Sequence, residues 1–466
     1  MDTFCVLPWM QVSIKPAGAM TTCCVMKALN KTTKTLPNKH EFDDSRQSWE
    51  QNIEPYICGQ DSMLNLLNVE QLKEVRLALL NNIKHPVCST CWSRERYSNG
   101  AVSVRVNNNR RWKDVMNLKL AKSMTNPDGS INSLNIKSLE LRLGNHCNLK
   151  CVMCHPGHSD AWYSDWNKLK KLNSYWTVDG SSKDEFMFGG VKYNMNDKTS
   201  FEWYKNDLFK EEFKKIYPNL REIYWAGGEP LLASRHLEIL KILVDSGVSK
   251  NIQLRYDTNI TYIPDKVLNL WKEFKWVATQ CSVDDINERL EYIRYPVKWN
   301  TIKNNLIKLD KHPNCILTTG VTLSCYNIFT FLDFAKWVKN NLSRYTWERM
   351  HFKHVIAPFN VSPSCLPRKV KLKAIDIIKK HLESDNCPGK DTPHYIKVNM
   401  FKNYLIEELV HFNETHFNGF VEHTKNLDSL RNLKFQECFP ELYQMLKVNY
   451  NIDLGDENEK NNCSGE

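Results

Sequence analysis

Hydrophobic and polar residues alternate in six short stretches of the chain, and stretches with helical spacing separate them. The first reads Leu-Glu-Leu-Arg-Leu at residues 139–143, which predicts a strand because alternate side chains of a strand face opposite sides. Five further strands are predicted at residues 222–226, 252–257, 276–282, 316–323 and 350–357. Strands that alternate with helices are typical of βαβ units. The pattern therefore predicts an α/β fold with a parallel sheet, either curved or closed into a partial barrel.

The flanking segments have different patterns. The polar stretch from Asn107 predicts a linker with one short helix and a turn. After Pro367 the sequence is helical, most clearly at residues 370–382 and 404–412. We therefore divide the chain into a cysteine-rich domain (1–105), a linker (106–136), the α/β domain (137–366), a helical segment (367–450) and a disordered tail (451–466).

Composition narrows the protein class. The chain has 466 residues, a formal net charge of +10 and a mean hydropathy of −0.51, and it has no apolar run of the roughly 18 residues that span a bilayer. Its first residues lack the pattern of a secretory signal. Basic residues are scattered, which favours neither a membrane nor a nucleic-acid partner. We expect a cytoplasmic protein of a bacterium or of a phage-infected host cell.

Sixteen cysteines suggest metal binding, because disulfide scaffolds are short and exported. Cys147, Cys151 and Cys154 form C-x3-C-x2-C directly after the first predicted strand. Three thiolates so close together repel one another unless they share a metal centre. A 4Fe–4S cluster has four irons, so three cysteines would leave one iron open. The alternative is a zinc site completed by His146 or His155.

The triplet resembles the cluster motif of radical S-adenosylmethionine (radical SAM) enzymes, although Met153 stands where that family usually has an aromatic residue. Residues 224–230, Tyr-Trp-Ala-Gly-Gly-Glu-Pro, are similar to the family's Gly-Gly-Glu motif at the end of the second strand. The resemblance implies a partial (β/α)6 barrel and a cluster that binds SAM through its amino and carboxylate groups. It also implies reductive cleavage to methionine and a 5′-deoxyadenosyl radical, which abstracts hydrogen from a substrate. Gly227 and Gly228 would let the backbone approach the ligand, and Glu229 would bind its ammonium.

Three further residues match the family less specifically. Asn259 follows the third strand, where members often place a polar residue near SAM. Ser282 ends the fourth strand, and Arg294 follows twelve residues later. Both resemble residues that contact the methionine carboxylate in the peptide-modifying branch, and a planar guanidinium suits a carboxylate. The alternative for Arg294 is an ordinary surface arginine.

The N-terminal cysteines resemble a twitch domain, the shorter relative of the SPASM domain. Cys5, Gly18 and Cys23 form C-x12-G-x4-C, and Cys88 and Cys91 follow. The resemblance implies an auxiliary 4Fe–4S cluster on these four cysteines, in a domain that usually follows the barrel but here precedes it. The alternatives are Cys24 in place of Cys23, Cys58 as a spare ligand, or a four-sulfur zinc site. The other cysteines have no ligand spacing: Cys281, Cys315, Cys325, Cys365, Cys387, Cys438 and Cys463.

The resemblance predicts a radical SAM enzyme, of oxidoreductase or transferase type. A peptide or protein is the expected substrate, and flavodoxin or ferredoxin the expected electron donor. Two other classes stay open at this point: a non-catalytic zinc-binding adaptor or nucleic-acid-binding protein, and an electron carrier.

Overall fold

Strands and helices alternate along the chain in the computed structural model, which describes residues 3–26, 29–31, 54–97, 102–132, 135–172, 185–188, 191–194, 198–385 and 387–455. The strands are β1 (Gln11–Ile14), β2 (Met20–Thr21), β3 (Ser138–Arg142), β4 (Glu185–Phe188), β5 (Val191–Asn194), β6 (Glu222–Ala226), β7 (Gln253–Thr258), β8 (Trp276–Ser282), β9 (Cys315–Leu323) and β10 (Met350–His354). The α/β class is confirmed.

The helices of the described residues precede, separate and follow these strands along the chain. They are α1 (Met63–Leu66), α2 (Glu70–Leu80), α3 (Ser89–Tyr97), α4 (Val104–Trp112), α5 (Leu118–Met124), α6 (Tyr163–Lys171), α7 (Asp207–Ile216), α8 (Ser234–Asp245), α9 (Asp265–Trp271), α10 (Asn287–Ile293), α11 (Trp299–Lys311), α12 (Phe331–Asn341), α13 (Arg368–Leu382), α14 (Pro393–Glu407), α15 (Glu414–Arg431), α16 (Phe435–Cys438) and α17 (Pro440–Tyr450). None of them has the length and hydropathy needed to cross a membrane.

Eight strands belong to one mostly parallel sheet, in the order β10-β9-β8-β7-β6-β3-β1-β2, and β4 and β5 form a separate antiparallel hairpin. All six predicted strands are present in this sheet. Along β8, buried residues alternate with half-buried ones, which is the pattern that the sequence periodicity predicts.

The chain forms two compact units. The first comprises Met1–His146, Asp179–Tyr256 and Asn269–Val277, and the second comprises Cys147–Val178, Asp257–Leu268 and Ala278–Glu466. The N-terminal cysteines and the Gly-Gly-Glu motif lie in the first unit. The cysteine triplet and the C-terminal helices lie in the second.

The N-terminal segment contributes two strands that the sequence pattern did not predict. Strand β1 pairs in parallel with β3, with Val12 opposite Leu139, and β2 pairs antiparallel with β1. These strands have four and two residues, too few for periodicity to distinguish them from a loop. The domain boundary predicted at residue 105 stays a prediction.

Two helix predictions need correction. Helix α13 confirms the prediction at 370–382, but the helix predicted at 404–412 instead spans Pro393–Glu407. It begins where the Thr392 hydroxyl accepts a hydrogen bond from the Tyr395 N–H and Pro393 occupies the first turn.

The predicted linker contains most of α4 and all of α5, where the sequence pattern predicted one helix. Ser103 is the N-cap of α4, and Asn117 is the N-cap of α5. Residues 456–466 of the predicted tail lie outside the described residues.

Candidate active site

The cysteine triplet lies on a loop of the second unit whose backbone is hydrogen-bonded to the end of α10. The Val152 N–H donates to the Ile293 carbonyl over 2.8 Å, and the Lys150 N–H donates to the Tyr295 carbonyl over 2.6 Å. These two bonds hold the loop on both sides of Arg294. The loop is therefore held through the backbone N–H groups of residues between the cysteines, which leaves the cysteine sulfurs available to a metal centre.

Side chains from the segment before α6 hold the same loop from another direction. Asp160 Oδ1 accepts a hydrogen bond from the Cys147 N–H at 3.0 Å. The Trp162 indole donates to the Cys151 carbonyl at 3.1 Å, and this indole is fully buried. Buried backbone groups require such partners, so these bonds stabilise the loop conformation.

Two of the predicted SAM-binding residues lie at the cysteine sulfurs. Asn259 Nδ2, just past β7, is 3.7 Å from Cys147 Sγ. Arg294 Nη1 is 3.9 Å from Cys151 Sγ. Ser282 is the half-buried last residue of β8, and its predicted contact with SAM stays a prediction. The second unit thus brings an amide donor and a guanidinium to the sulfurs, both of which stabilise negative charge there.

Asp284 binds the guanidinium of Arg294 in the structure. Its carboxylate oxygens lie 2.8 Å from Arg294 Nε and 3.1 Å from Arg294 Nη2. Asp284 is fully buried, and its Oδ1 also accepts the Thr322 N–H of β9 at 2.7 Å. The carboxylate that Arg294 binds here therefore belongs to the protein. Sequence reasoning missed Asp284 as a site residue, although it stands two positions after Ser282.

Burial raises the pKa of two of the triplet thiols, Cys151 and Cys154. The pKa of Cys151 is raised by burial, while Arg294 and Arg431 act in the opposite direction. The pKa of Cys154 is raised well above its usual value by burial and by the neighbouring sulfurs of Cys151 and Cys147. Three adjacent thiolates are therefore stable here only when a positively charged centre binds them.

The donor set fits a cluster better than a single ion. Among the described residues, the one group of three metal-binding side chains with ligand atoms within 4.8 Å lies elsewhere in the chain, and the triplet is not such a group. A tetrahedral zinc ion needs ligand atoms that close together, whereas a cubane is larger and separates its ligands. His155, one of the two predicted alternatives for a fourth zinc ligand beside His146, accepts the Gly157 N–H on Nδ1.

Arg431 of α15 is a charged residue of this region that no sequence pattern indicated. Its Nε lies 2.9 Å from Asp165 Oδ2, and Lys150 Nζ lies 2.8 Å from the other carboxylate oxygen. The guanidinium carbon is 4.6 Å from the ring centroid of Trp162, close enough for a cation–π contact. The side chain of Arg431 is 1% exposed, so its charge acts on Cys151 with little solvent screening.

The Gly-Gly-Glu motif of the first unit is a tight turn against the protein's own backbone. Gly227 has a φ of +86°, and a Cβ added to Gly228 would lie 2.7 Å from the carbonyl carbon of His146. The Glu229 N–H donates to the His146 carbonyl at 2.7 Å. Sequence analysis explained the two glycines by the approach of a ligand. In the structure Gly228 admits Asn145 and His146, the two residues that precede Cys147, and Gly227 lies against Arg142.

The Glu229 carboxylate is buried, 2% exposed, and its Oε1 accepts the Leu231 N–H at 3.1 Å. This bond caps the short helical turn Pro230–Leu232. The carboxylate is therefore held in one orientation by its own chain, and its predicted contact with an ammonium group stays a prediction.

The four predicted N-terminal ligands line one pocket of the first unit. Cys5, Cys23, Cys88 and Cys91 share this pocket with Arg105. In the part of the chain that the structure describes, Cys24 and Cys58 do not line it; Cys58 instead donates its N–H to the Gly18 carbonyl. Cys23 therefore lines the pocket and Cys24 does not, and the choice of ligand between them stays a prediction.

Burial and neighbouring sulfurs raise the pKa of the pocket thiols. Burial and the nearby Cys91 raise the pKa of Cys5 to about 12, and burial with the nearby Cys5 and Cys91 raises the pKa of Cys88. Arg105 lowers both pKa values, and its guanidinium binds both oxygens of Glu95, at 3.0 and 2.8 Å. Four cysteines that line one pocket beside a cation offer the four sulfur ligands of a 4Fe–4S cluster. As in the triplet, no three of these sulfurs lie within 4.8 Å of one another in the described residues, which is wider than a zinc ion requires.

Comparisons with known proteins agree with the triplet. A protein-family model, described as the radical SAM superfamily, matches residues 141–338, which contain both the triplet and the Gly-Gly-Glu turn. No curated protein matches the chain.

Solved structures are similar to the chain at low identity. One is native anSMEcpe with bound AdoMet, at 16% identity and a TM-score of 0.35, covering 53% of this chain and 60% of that chain. Another is Streptococcus suis SuiB bound to its precursor peptide SuiA, at 11% identity and a TM-score of 0.31, covering 69% and 61%. A third is TYW1 with a lysine-pyruvate adduct, at 12% identity and a TM-score of 0.27, covering 52% and 73%. The chain thus spans about 60% of the length of the first two structures.

Proposed function

We propose that residues 141–338, which match the radical SAM family model, form a radical SAM domain. We further propose that this protein reductively cleaves SAM and uses the resulting radical to abstract hydrogen from a substrate. The observation that carries the proposal is the second unit's triplet, with an amide and a guanidinium within 4 Å of two of its sulfurs. An electron carrier would need the cysteines but not the family's ligand-binding residues around them.

Cys147, Cys151 and Cys154 would hold a 4Fe–4S cluster. When bound, that cluster supplies the electron that splits SAM into methionine and a 5′-deoxyadenosyl radical. Asn259 and Arg294 offer an N–H donor and a positive charge to the sulfurs, which favours the reduced, more negative state. Arg294 is held by Asp284, so its charge is in place before any ligand arrives.

Glu229 would bind the ammonium of SAM, and the Gly227-Gly228 turn would hold Glu229 in position. The support for this role is the burial of the carboxylate and its fixed orientation on the Leu231 N–H. A buried carboxylate gains a charge-assisted hydrogen bond from an ammonium donor. Ser282 and Asn259 are proposed as further SAM contacts.

Cys5, Cys23, Cys88 and Cys91 would hold an auxiliary 4Fe–4S cluster. Support comes from their shared pocket and from Arg105, whose charge opposes the rise in thiol pKa. We propose a peptide or protein as the substrate, because the N-terminal motif resembles the branch that modifies peptides. A flavodoxin or ferredoxin would then supply the electron.

Metal analysis after anaerobic reconstitution tests the proposal first. Two cubane clusters predict about eight irons and eight sulfides per chain, with a broad absorption band near ~400 nm. In the same samples, 5′-deoxyadenosine released with dithionite reports SAM cleavage. The Cys151→Ala variant should abolish this product, whereas the matched control Cys438→Ala, on a half-buried cysteine of α16, should retain it.

Each outcome has a distinct meaning. About four irons with active SAM cleavage would overturn only the auxiliary cluster. Unchanged SAM cleavage in Cys151→Ala would overturn the catalytic assignment. A colourless protein with zinc and no sulfide would instead establish the zinc-binding adaptor. For the SAM contact, Glu229→Gln should weaken SAM binding at least tenfold while the iron content stays the same.

A further inference from the structure

Three metal-binding side chains converge between α13 and α14, in the second unit. The ligand atoms of His381, Cys387 and His394 all lie within 4.8 Å of one another. His381 and His394 are buried, and Cys387 is half-buried. This group shares no residue with the cysteine triplet or with the N-terminal pocket.

Backbone hydrogen bonds join described residues of the loop between the two helices. The Ser384 N–H donates to the His381 carbonyl at 3.1 Å, and the Cys387 N–H donates to the Ser384 carbonyl at 3.0 Å. At the other end, Thr392 caps α14 and places His394 in its first turn. The three donors therefore come from the end of α13, from Cys387 in the loop and from the start of α14.

A hydrogen bond between the two histidines explains only part of this geometry. Their Nε2 atoms are 3.1 Å apart, a distance that suits one imidazole donating to the other. Two imidazole nitrogens on one tetrahedral zinc are about 3.3 Å apart, from Zn–N bonds of about 2.0–2.1 Å, so the pair also suits a shared ion. The thiol of Cys387 is the third donor, which a histidine pair does not require.

The position of His381 also favours a cation. It lies in the last turn of α13, where the helix dipole is negative. A neutral imidazole nitrogen offers a lone pair to a metal.

We propose that His381, Cys387 and His394 bind one zinc ion, which fastens the loop between α13 and α14. Two imidazoles and one thiolate are donors that zinc prefers, and water would complete the tetrahedron. Binding would release the thiol proton of Cys387 to solvent, leaving the ion with one anionic and two neutral ligands. The proposal is independent of the SAM chemistry.

The test uses the full-length, cluster-reconstituted protein incubated with one equivalent of zinc and then desalted. We expect about one zinc per chain beyond the iron content. Zinc K-edge X-ray absorption, which iron does not obscure, should show one sulfur at about 2.3 Å and nitrogen or oxygen ligands at about 2.0–2.1 Å. Cys387→Ser should lower zinc affinity at least tenfold and leave iron and sulfide unchanged.

Matched variants separate the outcomes. Cys438→Ser, on a half-buried cysteine outside the group, should keep the zinc, and His381→Gln should lose it. Circular dichroism verifies that each variant keeps its helices. Three or four sulfurs around the zinc would place the ion on the cluster cysteines and overturn the proposal. Less than about one tenth of a zinc per chain, or equal retention by Cys387→Ser, would overturn it too and leave a histidine hydrogen bond.

Discussion

Both cysteine regions bring several thiols together, one through neighbouring residues and the other through residues far apart in the chain. The triplet occupies eight consecutive residues of the second unit, and backbone bonds to residues 293–295 hold it. The N-terminal pocket gathers cysteines from positions 5 to 91, so it exists only once the first unit has folded. Local spacing builds the first site, and long-range packing builds the second.

Each region also places one arginine near its sulfurs and pairs that arginine with a carboxylate. The pairs differ in exposure: Asp284 is fully buried, whereas the side chain of Glu95 is 25% exposed. A carboxylate with no exposed surface cannot exchange its partner for water, but a partly exposed carboxylate can. We therefore expect the two regions to respond differently to the same substitution.

We expect the largest difference in SAM cleavage between Cys154→Ala and Cys88→Ala. Loss of a triplet thiolate should abolish 5′-deoxyadenosine formation, whereas loss of a pocket thiolate should leave SAM cleavage in place. Both should lower the iron content by about four atoms per chain. Iron analysis beside chromatography of the products measures both effects. Equal loss of SAM cleavage in the two variants would mean that the regions are not functionally separate.

A second contrast compares Arg294→Gln with Arg105→Gln. The first leaves the buried carboxylate of Asp284 without its cation, which should cost about 3–5 kcal/mol of unfolding free energy. The second leaves Glu95 in contact with water, and about 1 kcal/mol is expected. Urea titrations of both variants measure the difference. Adding Asp284→Asn to Arg294→Gln should restore much of the loss, and failure to do so would contradict the buried-pair argument.

The Gly-Gly-Glu turn should tolerate no side chain at Gly228, since a Cβ there meets the carbonyl group of His146. We expect Gly228→Ala to lower the unfolding free energy by about 1–3 kcal/mol, as overpacking does, and to displace the start of the cysteine loop. Gly389→Ala is the control, because a Cβ at Gly389 has no neighbour within 4 Å. Thermal unfolding compares the two. Equal melting temperatures would show that the turn has room to relax.

The smallest contrast concerns pH. Burial raises the pKa of Asp285 to about 6, so this carboxyl keeps its proton to a higher pH in the folded state than in the unfolded state. Its contribution to the free energy of unfolding therefore falls as the pH rises from about 4 to 6, by at most about 1.4 kcal/mol per pH unit. Glu95 has the opposite sign: although burial acts to raise its pKa, Arg105 and Ser103 lower it overall, so its contribution falls as the pH is lowered. Asp285→Asn and Glu95→Gln should therefore change the slope of unfolding free energy against pH in opposite directions.

Periodicity accounts for most of the predicted fold, and its failures have a common cause. The strands from β3 to β10 in the main sheet are long enough for alternation to be visible, whereas β1 and β2 are not. Helix α14 was misplaced because its hydrophobic residues are spread around the helix, although Thr392 and Pro393 mark its start. Short elements and elements without a polar face carry little periodic signal.

Site residues follow the same division. The triplet can be predicted from spacing alone, since three thiols in eight residues need a shared centre. Asp284 and Arg431 could not, because each acts through a contact that only the folded chain creates. Cys387 has no cysteine partner at ligand spacing, and its two neighbouring donors are histidines on different helices.

The pairing of β1 with β3 cannot form until the ribosome has made both strands. Ser138 donates a hydrogen bond to Gln11, 127 residues earlier in the sequence. A ribosome that adds about 5–20 residues per second needs roughly 6–25 seconds to cover that distance. Cys5 and Cys23 flank β1 and β2, so during this interval their thiols belong to a nascent chain that cannot yet close its sheet. Cys5 and Cys23 are thus made several seconds before β3, so the part of the sheet beside them is completed only after residue 138 has been added.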